Sequence, residues 1–187
     1  MHCIDTGVGI GFAAVDRLSL LDQYLPGRIS VLQEVRFEVR RRALIGRPPG
    51  MSQDEHRVNA ACGALAPRMA NYTDVALDVD FQDRVDHLVE LLRADGGDAM
   101  SHLGEAASLA WAEAQRPRAV LLTNDRGAQD LADEMRIGWR NCAQVLAGMT
   151  RAGLVTPEDA LALCGEIDTV TRIGGPFPDD VEWFARN

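Results

Sequence analysis

The sequence predicts a three-layer α/β/α domain around a mainly parallel sheet, and three observations predict it. A run of buried-strand character, Ala119-Val120-Leu121-Leu122, stops at Thr123-Asn124-Asp125, and a helical pattern follows with Leu131 and Met135 four apart. The first residues repeat the arrangement: Met1-His2-Cys3-Ile4 is a short strand closed by Asp5. Elsewhere strand patterns alternate with helical ones, the order that parallel sheets require. Short apolar runs bounded by polar residues read as strands covered on both faces. Asp5 and Asp125 therefore stand at carboxyl ends of strands, where open α/β sheets place their ligand chemistry. If the two strands are neighbours, their carboxylates converge.

Length and composition bound the answer. A chain of 187 residues is most simply one domain, with apolar content of 47% and charged content of 25%. No apolar run approaches the roughly eighteen residues that span a membrane. The N-terminus lacks the basic-then-apolar layout of a signal peptide, so a cytoplasmic protein is expected. Cys3, Cys62, Cys142 and Cys164 lie far apart with no CxxC or His pairing, and they read as buried thiols. The net charge of −9 mildly opposes nucleic-acid binding, unless the negative charge is concentrated where metal ions are held. A basic partner is the other reading of that charge.

In chain order, Thr6-Gly7-Val8-Gly9-Ile10-Gly11 turns the first strand into a helix expected to reach Tyr24. Its alternate glycines match neither a dinucleotide fingerprint nor a phosphate loop, and they read as close packing. After the turn at Pro26-Gly27, residues 30–43 read as an amphipathic helix with Val31, Val35 and Val39 four apart. At about 100° per residue, Glu38 falls roughly 80° from the centre of that stripe and Glu34 roughly 120°. A Glu38–Arg42 pair at i,i+4 is the structural account of Glu38.

Residues 46–50 (GRPPG) break the helix, and residues 51–69 read as one helix, polar and then Ala-rich. Residues 75–79 (VALDV) read as a central strand. Residues 81–93 are an amphipathic helix on Val85, Leu88, Val89 and Leu92, ended by Asp95-Gly96-Gly97-Asp98. Residues 101–115 form an Ala-rich helix, apolar almost all round and hence buried. Glu105 sits in its first turn, where the helix dipole favours an acid and burial demands a partner or a cation. Asp130 and Asp133 lie beyond the last strand and read as solvated. Residues 141–151 are a helix stopped by Gly153, and Thr156-Pro157-Glu158-Asp159 opens the next with Thr as N-cap. The tail, 174–187, carries Phe177, Trp183 and Phe184.

Asp5, Glu38, Glu105 and Asp125 thus follow one another as strand end, helix, helix start and strand end. The order and the local words resemble the PIN-domain ribonucleases, the family of bacterial VapC-like toxins. Ile4-Asp5-Thr6 is similar to that family's first motif, and Val35-Arg36-Phe37-Glu38-Val39 to its second. His102-Leu103-Gly104-Glu105-Ala106-Ala107 resembles its Gly-Glu-Ala helix start, and Thr123-Asn124-Asp125-Arg126 its Thr-x-Asp-Arg. The apolar helix and Arg-Ala-Gly-Leu ending of 142–154 resemble the same family. Gly7 departs from the Asn or Ser usual after Asp-Thr, and Trp139 stands where a small residue or Thr in a turn is common.

The resemblance implies a PIN-like domain over 1–165 and a C-terminal extension, 166–187, packing on the domain or on a partner. It implies a metal-dependent endoribonuclease, the toxin of a toxin–antitoxin pair. Mg²⁺ or Mn²⁺ would be held by Asp5, Glu105 and Asp125, with Glu38 as an outer ligand or base and Arg126 and Arg36 meeting phosphate. Implied partners are an RNA substrate and a protein antitoxin, with homodimerisation an option and no membrane. The tail aromatics suit an antitoxin interface or the chain's own core. The rival expectation is a PIN-like binding or regulatory protein with little or no nuclease activity, which the acidic charge and Gly7 favour and the four acids oppose. Asp5-Thr6-Gly7 also matches the aspartic-protease triplet, but that fold is nearly all β. A haloacid-type phosphatase needs a second Asp where Gly7 stands.

Overall fold

The computed structural model describes residues 1–45, 48–93, 102–171 and 177–187. Five strands form one sheet in the order β3-β2-β1-β4-β5, every neighbouring pair parallel. They are β1 His2–Ile4, β2 Ile29–Leu32, β3 Thr73–Val75, β4 Val120–Leu122 and β5 Gly138–Arg140. β1 is central, with His2 opposite Ile29 of β2 on one side and Val120 of β4 on the other. The neighbourhood of β1 and β4 is the one the two Asp-terminated runs predict. Both strands are short, and buried apolar side chains hold them in place: Cys3, Ile4, Leu121 and Leu122 are fully buried.

Parallel strands need crossovers, and crossovers place helices on both faces. From β1 the chain steps to β2 and β3 in one direction, then returns to lay β4 on the other side of β1. The direction reverses between β1 and β4, so a crevice opens there at the carboxyl ends of the strands. On one face α1 (Thr6–Ala14), α4 (Gln53–Arg68), α8 (Cys142–Arg151), α9 (Pro157–Thr171) and α10 (Val181–Arg186) pack together. On the other, α6 (Leu103–Ala114) packs between α5 (Gln82–Leu92) and α7 (Arg126–Glu134). α3 (Gln33–Leu44) touches α4 and α6, which carries Glu38 to the crevice. The remaining helix, α2 (Leu18–Tyr24), leads back to β2.

Several expectations are corrected. The first helix does not reach Tyr24 unbroken: Asp16, at φ 54°, separates α1 from α2. Residues 30–32 are strand rather than helix, because β2 runs into α3 at Leu32 without an intervening loop. The strand near 75–79 is β3, which ends at Val75 and lies at the sheet's edge with Thr73 and Asp74 exposed. Trp139 lies in β5 rather than in a turn. The alternate glycines belong to α1, where they do serve packing: a Cβ on Gly9 would come 2.7 Å from Leu65 Cδ2. The turn at 95–98, Ser101, residues 46–47 and residues 174–176 lie outside the described residues.

Downstream readings hold. Asn141 caps α8, and the Thr156 hydroxyl accepts from Asp159 N–H at 3.1 Å to cap α9. All four cysteines are buried and unpaired. Among the described residues, no helix is long and apolar enough to cross a membrane. α10 packs on α8 and α9, with Phe184 fully buried and its ring 5.1 Å from that of Trp183. Phe184 is therefore a core residue and cannot anchor a partner. Phe184→Ala is expected to lower stability by about 3–5 kcal/mol in chemical denaturation, the usual loss for a buried aromatic ring.

Candidate active site

Asp5 is the first residue after β1 and caps α1. Its side chain is 1% exposed, and both oxygens are held: Oδ1 accepts from Thr6 N–H at 2.6 Å and Oδ2 from the Thr123 hydroxyl at 3.0 Å. Asp125 caps α7, with Oδ1 accepting from Ala128 N–H at 2.7 Å. Thr123 ties the two strand ends together, since its oxygen also accepts from Asp125 N–H at 3.1 Å. Its neighbour Asn124 is buried and accepts from Cys142 N–H at 2.9 Å, which fixes the start of α8 against the end of β4.

Glu38 approaches from α3. Its Oε2 accepts from the Thr6 hydroxyl at 2.8 Å and its Oε1 from Arg42 Nε–H at 3.2 Å. The expected Glu38–Arg42 pair thus exists, and it points the carboxylate into the crevice instead of excusing it from the site. Glu105 enters from the first turn of α6, directly after Gly104, whose missing side chain leaves room for Glu38: a Cβ there would sit 3.3 Å from Glu38 Oε2. Glu105 Oε2 is buried without a hydrogen-bond partner among the described residues. Asp5, Glu38, Glu105 and Asp125 line one cleft of about 240 Å³, together with Thr6, Gly7 and Arg42.

Crowding acids in a poorly solvated space disfavours their charged forms. Burial pushes Asp5 up to about 7, helped by the charges of Glu38 and Asp125 and opposed by the hydrogen bonds from Thr123 and Thr6. Burial pushes Glu105 further, to about 9, with Asp5 the foremost neighbouring charge. At neutral pH the cleft on its own therefore keeps at least one proton that free carboxylates would shed.

The donor set is all carboxylate oxygen, the chemistry that suits Mg²⁺ or Mn²⁺, and the Glu105 oxygen is buried with no partner among the described residues. Among the described residues, no group of three or more His, Cys, Asp or Glu stands in a ready metal-holding arrangement. The oxygens turn instead toward Thr6, Thr123, Arg42 and Ala128 N–H. Each such oxygen keeps a second lone pair, so the donor chemistry, though not the present arrangement, suits a hard cation.

The structure brings together all four acids read from the sequence. It does not bring Arg36, which is 8% exposed and spent on Asp74, Met69 O and Tyr72 O, a clamp that cannot meet phosphate. Arg126 is exposed at the start of α7 and does not line the cleft. Sequence reasoning missed the two threonines as organisers of the acids; the signal was a hydroxyl beside each strand-end acid, in Asp5-Thr6 and Thr123-Asn124-Asp125. A larger groove of about 900 Å³ lies where α1, α4 and α9 meet, and none of the four acids lines it. No protein-family model matches the chain, and no curated protein matches it.

The raised values make stability depend on pH. Both acids bind a proton more tightly folded than unfolded, so their contribution is fully present below about pH 4. It falls as pH rises through about 7 for Asp5 and about 9 for Glu105. Metal-free protein should lose stability from pH 5 to 9 in urea titrations. Glu105→Gln should flatten that slope and exceed the unsubstituted chain by at least about 1 kcal/mol at pH 9. Equal slopes in the two proteins would refute the assignment.

Proposed function

We propose that the protein is a divalent-metal-dependent endoribonuclease of the PIN type, the toxin of a toxin–antitoxin pair, acting in the cytoplasm. The observation that carries the reading is four carboxylates, from four separate elements, converging at the point where the strand order reverses. Buried unpaired thiols suit a reducing compartment.

In this reading Asp5, Glu105 and Asp125 hold Mg²⁺ or Mn²⁺. The bound cation would activate water and neutralise charge on the scissile phosphate. The chain's own residues do the positioning. Thr123 and Thr6 fix the Asp5 carboxylate by one hydrogen bond to each oxygen, so its lone pairs keep a set direction. Glu38 Oε2, which accepts from the Thr6 hydroxyl at 2.8 Å, would be the group placed to take a proton from water in the cleft. Arg42 balances Glu38 and keeps a cationic edge on an otherwise acidic cleft. An antitoxin would close the site by presenting Arg to the carboxylates, a charge-assisted contact.

A second reading is a binding or regulatory protein with little nuclease activity. The net charge of −9 and the bare Gly7 on the cleft wall favour it. Single-turnover cleavage of a single-stranded RNA separates the two. Asp5→Asn and Asp125→Asn are each expected to slow cleavage at least about a hundredfold while leaving the melting temperature unchanged or higher. EDTA should stop the unsubstituted chain and added Mn²⁺ restore it. Cleavage that survives EDTA or both substitutions refutes the metal-dependent site, and no cleavage by the unsubstituted chain favours the binding protein.

A further inference from the structure

The helix that brings Glu38 to the cleft has a second face with no role in the site or the core. Phe37 is 58% exposed and Leu44 86% exposed, in a chain whose large apolar side chains are otherwise mostly buried. Arg40 and Arg41 are exposed on the same side, at i+3 and i+4 from Phe37. Among the described residues neither guanidinium has an ion pair or a hydrogen bond. Two uncompensated cations beside an exposed aromatic ring are out of character for a chain of net charge −9.

Position ties this face to the cleft. On a helical projection Arg41 falls about 60° from Glu38, between it and Phe37, while Arg42 falls about 40° to the other side. Arg41 and Arg42 also share a groove of about 340 Å³ that adjoins the cleft through Arg42. Arg41 and Arg42 therefore lead along α3 to the carboxylates, facing Asp54 and Glu55 across the groove, while Phe37 and Arg40 lie on the open face of the helix beside them.

We propose that the exposed face of α3 guides a single-stranded RNA into the cleft, with Arg41 and Arg40 on successive phosphates and a base stacked on Phe37. The inference rests on the nuclease reading and names its substrate as unpaired RNA. Stacking on an aromatic ring with cations along the backbone is how single strands are held without sequence readout. A duplex would offer Phe37 no free base face. The buried Arg36 cannot take this part, which leaves the phosphates to the next turn of the helix.

The test is binding of a labelled oligouridylate in the Asp125→Asn background, which removes cleavage. Phe37→Ala should weaken binding roughly tenfold. The Arg40→Ala/Arg41→Ala pair should lower the salt slope of log K by about 1.4, the share of two single-strand phosphates. In the active chain the same changes should raise KM more than they lower kcat, with melting temperatures unmoved because these side chains are exposed. Unchanged RNA affinity and salt slope overturn the proposal. So does a dimer in solution that Phe37→Ala splits, since a second copy would then cover the face. Cleavage indifferent to all three substitutions sinks this inference and leaves the nuclease reading standing. Face-dependent RNA binding by a chain that never cleaves supports the guide and sinks the nuclease reading alone.

Discussion

The burial of carboxylates, sharpened by their mutual repulsion, is the constraint on which the site depends. Asp5 is almost wholly buried, and Glu105 carries a buried oxygen with no partner. A fold optimised only for stability would replace these groups with apolar ones or pair each with a cation. Here, among the described residues, Glu38 alone of the four acids pairs with an arginine, and the remaining negative charge is met by hydrogen bonds and by retained protons. Such an arrangement stores destabilisation in one place, which is where function concentrates.

The sheet makes the crowding unavoidable. With β1 flanked by β2 and β4, the residues just past the ends of β1 and β4 are neighbours, and each caps the helix that follows. Capping gives Asp5 and Asp125 a structural task and fixes their positions before any ligand arrives. Thr123 donates to one acid and accepts from the backbone of the other, so the two strand ends form one unit. α3 and α6, packed against each other, then deliver Glu38 and Glu105, with Gly104 small enough to let them close in.

The parts legible in the sequence are those where a single physical pattern dominates. β1 and β4 are short, mostly apolar runs followed within three residues by an acid, α5 repeats its apolar positions every three or four residues, and α6 is apolar almost all round. Those elements carry three of the four acids, and Glu38 was legible from its place on the amphipathic α3. The illegible parts are where two patterns overlap. Val31 belongs to β2 yet sits four residues before Val35, so the helical period swallowed the strand. β3 and β5 have three residues each and lie at the sheet's edges, where neither needs a continuous apolar run. The burial of Phe184 depends on α8 and α9, which no local pattern encodes.

The central claim is that the cleft keeps protons that a divalent cation, on binding, would displace. Calorimetric titration of the metal-free protein with Mn²⁺ at pH 7, in two buffers of different ionisation enthalpy, tests it most directly. The account predicts saturable binding with release of about one proton per site, because a metal-bound carboxylate must ionise. It also predicts loss of that binding in Glu105→Gln. Binding without proton release, or no binding at all, would contradict it.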